Sequence, residues 1–268
     1  MPHKKAGRCR YREARRSSGT AMISRMDAVG IAMWSGPRNI STAMMRAFGS
    51  RPDTFVSDEP LYAHYLLTTG VQHPGRDDVI ASQENDWRKV TDLLVGPVPG
   101  GRAIWYQKHM AHHLLPEISR DWLDRLTHAF LIREPDEMLA SLLHTYPKAG
   151  LADTGLPQQW EIFERVAERL DRAPPVVLSS DVLRGPEKML TKLCGALGIP
   201  FLPAMLSWAP GRRDTDGVWA PHWYAAVEAS TGFEPWQPRP VSLPEAQLPL
   251  LAECQHWYEK LRRHRLLP

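Results

Sequence analysis

The sequence predicts an α/β fold with a mainly parallel central sheet and helices on both faces. Two observations lead there. Short apolar runs rich in β-branched residues alternate with segments of helical period, the order expected of strand–helix units. The runs are also apolar throughout rather than alternately polar, as strands covered on both faces are. With 268 residues, 43% hydrophobic and 24% charged, the chain can bury one substantial core.

Taken in order, residues 28–34 read as the first buried strand, stopped by Ser35-Gly-Pro37. Apolar residues from 40 to 48 fall at helical spacing and end at Gly49-Ser-Arg-Pro52. Residues 54–56 form a second strand, followed by a helix over 61–67, a loop over 70–78 and a helix over 82–94. The Gly/Pro-rich stretch 96–101 is a break. Residues 103–106 and 128–132 are the next strands. Pro135 and Pro157 open helices to 144 and 170, as Pro at a first helical position does. Strand 176–178 precedes a helix over 187–197, and a helix over 243–263 closes the chain after a loop-rich stretch.

The net charge of +3 is uneven: the first 25 residues hold eight Lys/Arg and one Glu, so they carry +7 and the remainder −4. That balance removes the electrostatic support for nucleic-acid binding by the folded part. Residues 1–27 read as a disordered basic extension and 28–268 as a single domain. No apolar segment follows the charged start as a secretory signal requires, and no run reaches the roughly 18 apolar residues of a membrane span. Cys9, Cys194 and Cys254 are odd in number and far apart, which fits a reducing cytoplasm better than a disulfide framework.

Two strand-to-helix junctions carry chemistry. The first is Trp34-Ser-Gly-Pro-Arg-Asn-Ile-Ser-Thr42. Unpaired amides at a helix start and the helix dipole favour an anion there, with Ser41 and Thr42 hydroxyls and the Arg38 fork beside it. It lacks the Lys and the second Gly of the ATP and GTP loop, and an ordinary capped helix start is the plainer reading. The second runs from His128 through Arg133 and Pro135 to Ser141. Arg133 and Ser141 lie two helical turns apart, about 11 Å of rise, unless the chain bends back. Pairing of Arg133 with Glu134 or Glu137 is the alternative.

Pro37-Arg-Asn-Ile-Ser-Thr42 resembles the 5′-phosphosulfate loop of the sulfotransferase family, P-[KR]-S-G-[ST]-T. Ile132-Arg-Glu-Pro-Asp through Ser141 resembles that family's 3′-phosphate motif, R-[DE]-P with a Ser eight residues after the Arg. Arg212-Arg-Asp-Thr-Asp-Gly-Val-Trp219 is similar to R-K-G-x-x-G-D-W, with Asp214 in place of Gly and Val218 in place of Asp. The resemblance implies a P-loop-like sulfotransferase architecture and 3′-phosphoadenosine 5′-phosphosulfate as co-substrate, with no metal. It also implies a small-molecule acceptor bearing a hydroxyl or amine. The donor-binding positions would be Pro37, Arg38, Asn39, Ile40, Ser41, Thr42, Arg133 and Ser141, with Arg212 or Arg213 as a third contact. Asn39-Ile40 replaces the family's Ser-Gly, and a β-branched residue resists positive φ.

Arg38 is expected at the transferring group. For the base, Glu59 in Ser57-Asp-Glu-Pro60 ranks first, by likeness to acidic bases of tyrosyl-protein and bacterial sulfotransferases. His109 ranks second and His112 third. Lys108-His-Met-Ala-His-His113 resembles the K-T-H-L-P segment, with Lys108 on its Lys and Met110 at its His position. His109, His112 and His113 also invite a metal reading, without the Glu of H-E-x-x-H. Val218-Trp-Ala-Pro-His-Trp-Tyr224 is either acceptor-pocket wall or core. A small-molecule kinase and a nucleotide-binding module without transfer activity are the rival readings.

Overall fold

Each apolar run pairs with another in register. The computed structural model describes residues 28–238 and 241–268. The basic extension, with Cys9, therefore lies outside the described residues. Strands β1 (Val29–Ser35), β2 (Thr54–Asp58), β3 (Ile104–Met110), β4 (Thr127–Ile132) and β5 (Val176–Leu178) form a sheet in the order β2-β3-β1-β4-β5, all parallel.

The helices are α1 (Ser41–Gly49), α2 (Tyr62–Thr69), α3 (Arg76–Ser82), α4 (Trp87–Leu94), α5 (Pro135–Thr145), α6 (Leu156–Leu170), α7 (Ser179–Arg184), α8 (Pro186–Ala196), α9 (Ala220–Trp223), α10 (Ala225–Ala229) and α11 (Leu248–Arg262). Strand alternation sends Ile31 and Met33 to one core, with α1, α2 and α8. Ala32 and Trp34 go to the other, with α5, α6 and α11. Cys194 and Cys254 are buried thiols.

Several boundaries differ from expectation, the ends of β2 (58 rather than 56) and β3 (110 rather than 106) among them. The helix expected over 82–94 begins only at Trp87, because Gln83 after α3 leaves the helical track and binds α2 through Ala63 N (3.1 Å), while the Asp86 carboxylate caps α4 at Arg88 N (3.0 Å). The loop expected over 70–78 ends early at Arg76. The last helix begins at Leu248 rather than 243, since Pro249 lacks an N–H and suits only a first turn.

The topology fixes where a ligand can sit. From β1 the chain crosses toward β2, and from β4 toward β5. Neighbouring strands with oppositely directed connections leave a crevice at their carboxyl ends. Ser35 of β1 pairs with Leu131 of β4 at that edge, so the loop after β1 and Arg133 after β4 face the same crevice.

Candidate active site

The β1–α1 loop is held by its contacts. A Cβ on Gly36 would stand 2.1 Å from the Thr154 carbonyl oxygen, so only glycine fits against the turn Leu151–Thr154. Buried Gln159 of α6, in the amide orientation that satisfies its neighbours, donates to Leu131 O (3.3 Å) and accepts from Gly36 N (3.2 Å). The left-handed residue of the loop is Arg38, at φ 58°. Ile40 takes φ −84°, so the missing family glycine costs the loop no strain. Ile40 also sits at the N-cap of α1 and has no side-chain acceptor for the first amides. The capped-helix reading fails on that point, and the amides of Ser41–Ala43 are left for an anion.

The two junctions meet. Arg38 Nε donates to Ser141 Oγ at 2.8 Å, and Arg133 Nη1 donates to the Arg38 carbonyl at 2.7 Å. Ser141 is thus reached by Arg38 across the crevice, not by Arg133 along its own chain. Arg133 pairs with Glu137 Oε2 through Nε (3.1 Å) and Nη2 (2.8 Å). Arg38 has no carboxylate partner among the described residues. Burial and the Arg133 charge lower its pKa, which marks a place that an anion would stabilise. One cavity of about 460 Å³ is lined by Pro37 through Thr42, Arg133 and Ser141, and by Glu59, Lys108, His112 and His113.

At the far side of that cavity lies a buried charged cluster. The register pairs Asp58 of β2 with Lys108 of β3. Lys108 Nζ donates to Asp58 Oδ1 (2.8 Å), Glu59 Oε1 (2.5 Å) and Tyr224 Oη (2.8 Å). Asp58 also accepts from Tyr224 Oη (2.7 Å) and Gly217 N (3.2 Å). Two carboxylates thus face one ammonium, and Asp58 has the better set of donors. The uncompensated charge falls on Glu59, whose pKa is raised by burial against the pull of Lys108, with Asp58 adding to the rise. Lys108 is held well above its ordinary value despite burial, by Asp58 and Glu59. Glu59 stands at φ 43°, a left-handed position rare for a side chain that long.

His109 is placed away from the cavity. Because β3 continues to Met110, Lys108 and Met110 face the cavity while His109 points to the opposite core. There it stacks on Trp34 at 4.4 Å, with burial pushing its pKa down to about 3. That also separates it from His112 and His113. Arg212 is exposed and Arg213 donates to Ala209 O at 3.0 Å, and neither lines the cavity. Their segment is instead moored by the Arg46–Asp216 ion pair and by Gly217 on Asp58. In the Trp-rich stretch, Trp219 is core while Trp223 and Tyr224 line the cavity. Sequence reasoning did not join Asp58, Lys108 and Tyr224 into a cluster, although Asp58 stands beside Glu59 and Lys108 falls on the family's Lys position.

The fold thus gathers two strand-to-helix junctions and a buried charged cluster around one cavity. The chain matches the sulfotransferase domain over residues 29–263 and belongs to that family. Two curated relatives from Arabidopsis thaliana are named branched-chain-amino-acid aminotransferase-like proteins 2 and 1. They are 36% and 38% identical over 236 residues, 87% of this chain and 41% and 42% of their own length. The chain therefore spans about two-fifths of those relatives. Among solved structures, the sulfotransferase domain of the Synechococcus PCC 7002 olefin synthase shares the fold. Its TM-score is 0.55 at 19% identity, covering 91% of this chain and 98% of that one.

Proposed function

We propose that the enzyme transfers the sulfuryl group of 3′-phosphoadenosine 5′-phosphosulfate to a hydroxyl or amine of a small-molecule acceptor. The observation that carries this reading is the Arg38–Ser141 contact of 2.8 Å, which joins the two phosphate motifs in one cavity. The residues fit such a donor: uncapped helix amides with Ser41 and Thr42 at one junction suit the 5′-phosphate, and Arg133 with Ser141 at the other suits the 3′-phosphate. Pro37, Asn39 and Ile40 shape the first junction. Arg212 and Arg213, outside the cavity, have no role in this reading.

When bound, the donor supplies the activated sulfuryl group. The chain's part is positioning and charge stabilisation, as in in-line phosphoryl transfer. Arg38, whose side-chain partner is a neutral hydroxyl, is the cation available to the transferring group. The amides of α1 stabilise the negative charge that grows on the leaving phosphate. Glu59 supplies the negative charge that draws the acceptor's proton away.

Lys108 is committed to Asp58, Glu59 and Tyr224, and residues 36–42 contain no lysine. A kinase-like grip on ATP is therefore not expected. In a thermal-shift titration, 3′-phosphoadenosine 5′-phosphate should raise Tm by several degrees at about 100 times Kd, on the order of 2.7 kcal/mol, and ATP with Mg²⁺ little. Equal shifts with both nucleotides would reject the donor assignment.

A further inference from the structure

His113 ends the turn Ala111–His113 after β3. Its ring stacks on Tyr62 (centroids 4.7 Å, planes 4° apart) and Tyr65 (4.6 Å, 29°). These tyrosines hold the ring's orientation, and its nitrogens are the groups available for chemistry. Nδ1 is buried without a hydrogen-bond partner and stands 3.9 Å from Glu59 Oε2. Lys108 holds the other oxygen, Oε1, so Oε2 is the one left over. Nε2 makes no hydrogen bond among the described residues, yet it is not among the sealed, orphaned atoms, and His113 lines the cavity. One ring nitrogen thus faces a carboxylate while the other opens toward the substrate space. His112 has the same orphaned Nδ1 but no carboxylate near it in the cluster.

We infer that Glu59 and His113 form a catalytic dyad in which Glu59 fixes the Nδ1–H tautomer and His113 Nε2 takes the acceptor's proton. The inference rests on the sulfuryl-transfer reading above. The 3.9 Å separation needs a small closure, as expected where catalytic hydrogen bonds tighten only on substrate binding. The groups facing His113 are Glu59 and Lys108 at the ends of β2 and β3, His112 beside it, His73, and the two tyrosines of α2, with His109 acting only at a distance from the opposite core. Burial and these histidines keep the imidazole neutral at rest, and a neutral imidazole can receive a proton. In the transfer step the acceptor oxygen or nitrogen bonds to sulfur, and the sulfur–oxygen bond to the 5′-phosphate breaks with its electron pair on that oxygen. The proton moves to Nε2. The resulting imidazolium is matched by the surplus negative charge on Glu59, so the cluster ends neutral.

Histidine ¹⁵N NMR tests the tautomer without donor or acceptor, the His113 signals being assigned by their loss in His113→Asn. The expected result is an Nδ1–H tautomer in the wild type that gives way to a mixture in Glu59→Ala. An Nε2–H tautomer in the wild type would overturn the dyad. For activity, the label of ³⁵S-labelled donor is followed as free sulfate with water as acceptor and as naphthyl sulfate with 2-naphthol. His113→Asn should lose about 10²–10⁴-fold in rate while binding 3′-phosphoadenosine 5′-phosphate within about twofold of wild type. His113→Asn/Glu59→Gln should fall little further, as residues acting as a unit do. Wild-type rates in His113→Asn would leave Glu59 alone as base and sink the dyad. Failure of the wild type to bind the nucleotide would instead sink the donor assignment.

Discussion

Arg38 combines a left-handed backbone, a half-buried guanidinium and, among the described residues, no carboxylate to balance it. Strain and unbalanced charge both cost stability, and both are tolerated at sites where a ligand later uses them. Glu59 repeats the pattern across the cavity, with φ 43° and the surplus charge of its cluster. Arg38→Ala is expected to lower transfer by about 10²–10³-fold, the typical loss when one stabiliser of developing charge is removed. Donor-product affinity should persist within tenfold, because the α1 amides, Arg133 and Ser141 remain. Arg38→Gly should show the same loss of transfer with a higher Tm, since glycine accepts positive φ freely. Full transfer in Arg38→Ala would remove it from the chemistry.

At the level of elements, the loop between β1 and α1 works because a turn from a distant part of the chain is pressed against it. A methyl at position 36 would meet the Thr154 carbonyl, and backbone on both sides gives little room to shift. Gly36→Ala is therefore expected to destabilise by about 1–3 kcal/mol and to weaken nucleotide binding, both read from thermal-shift titrations with and without 3′-phosphoadenosine 5′-phosphate. Unchanged stability would show that the turn yields.

Elements of this kind also show what a sequence can reveal. All five strands and both junctions were legible, because continuous apolar runs and Gly/Pro punctuation are local signals. The split at Gln83 was not, since it depends on a side chain binding α2 across space. His109 differs from expectation for one reason. The apolar pattern ends the strand at Tyr106, whereas it runs to Met110, and the alternation of those extra residues turns His109 away from the cavity. Asp58 precedes Glu59 in the chain, but only the fold brings His113 and Tyr224 to it.

For the whole molecule, acid sensitivity follows from the histidines that the two cores bury. Burial pushes His109 and His112 down to about 3 and His128 to about 4, from an ordinary 6.5. Between those values and 6.5 the unfolded chain binds protons that the native state refuses. The contribution of these groups is thus complete above about pH 6.5 and is lost as pH falls through the window. Glu59 runs the other way: its raised pKa favours the native state at low pH, and that contribution fades as pH rises. With His73 and His113 depressed as well, five histidines against Glu59 should make acid the greater threat.

His128 offers the cleanest test. Its Nδ1 accepts from Trp34 Nε1 (3.0 Å) and its Nε2 donates to Leu123 O (2.8 Å), so the neutral ring satisfies both neighbours and a protonated ring would lose the Trp34 bond. The cost of charging it is on the order of 3 kcal/mol. Glutamine can accept and donate at similar positions but cannot titrate. In urea unfolding from pH 7.5 to 4.5, the wild-type midpoint should fall steeply below pH 6.5 and His128→Gln should fall less. Parallel curves for the two proteins would show that the buried imidazole does not set the acid limb.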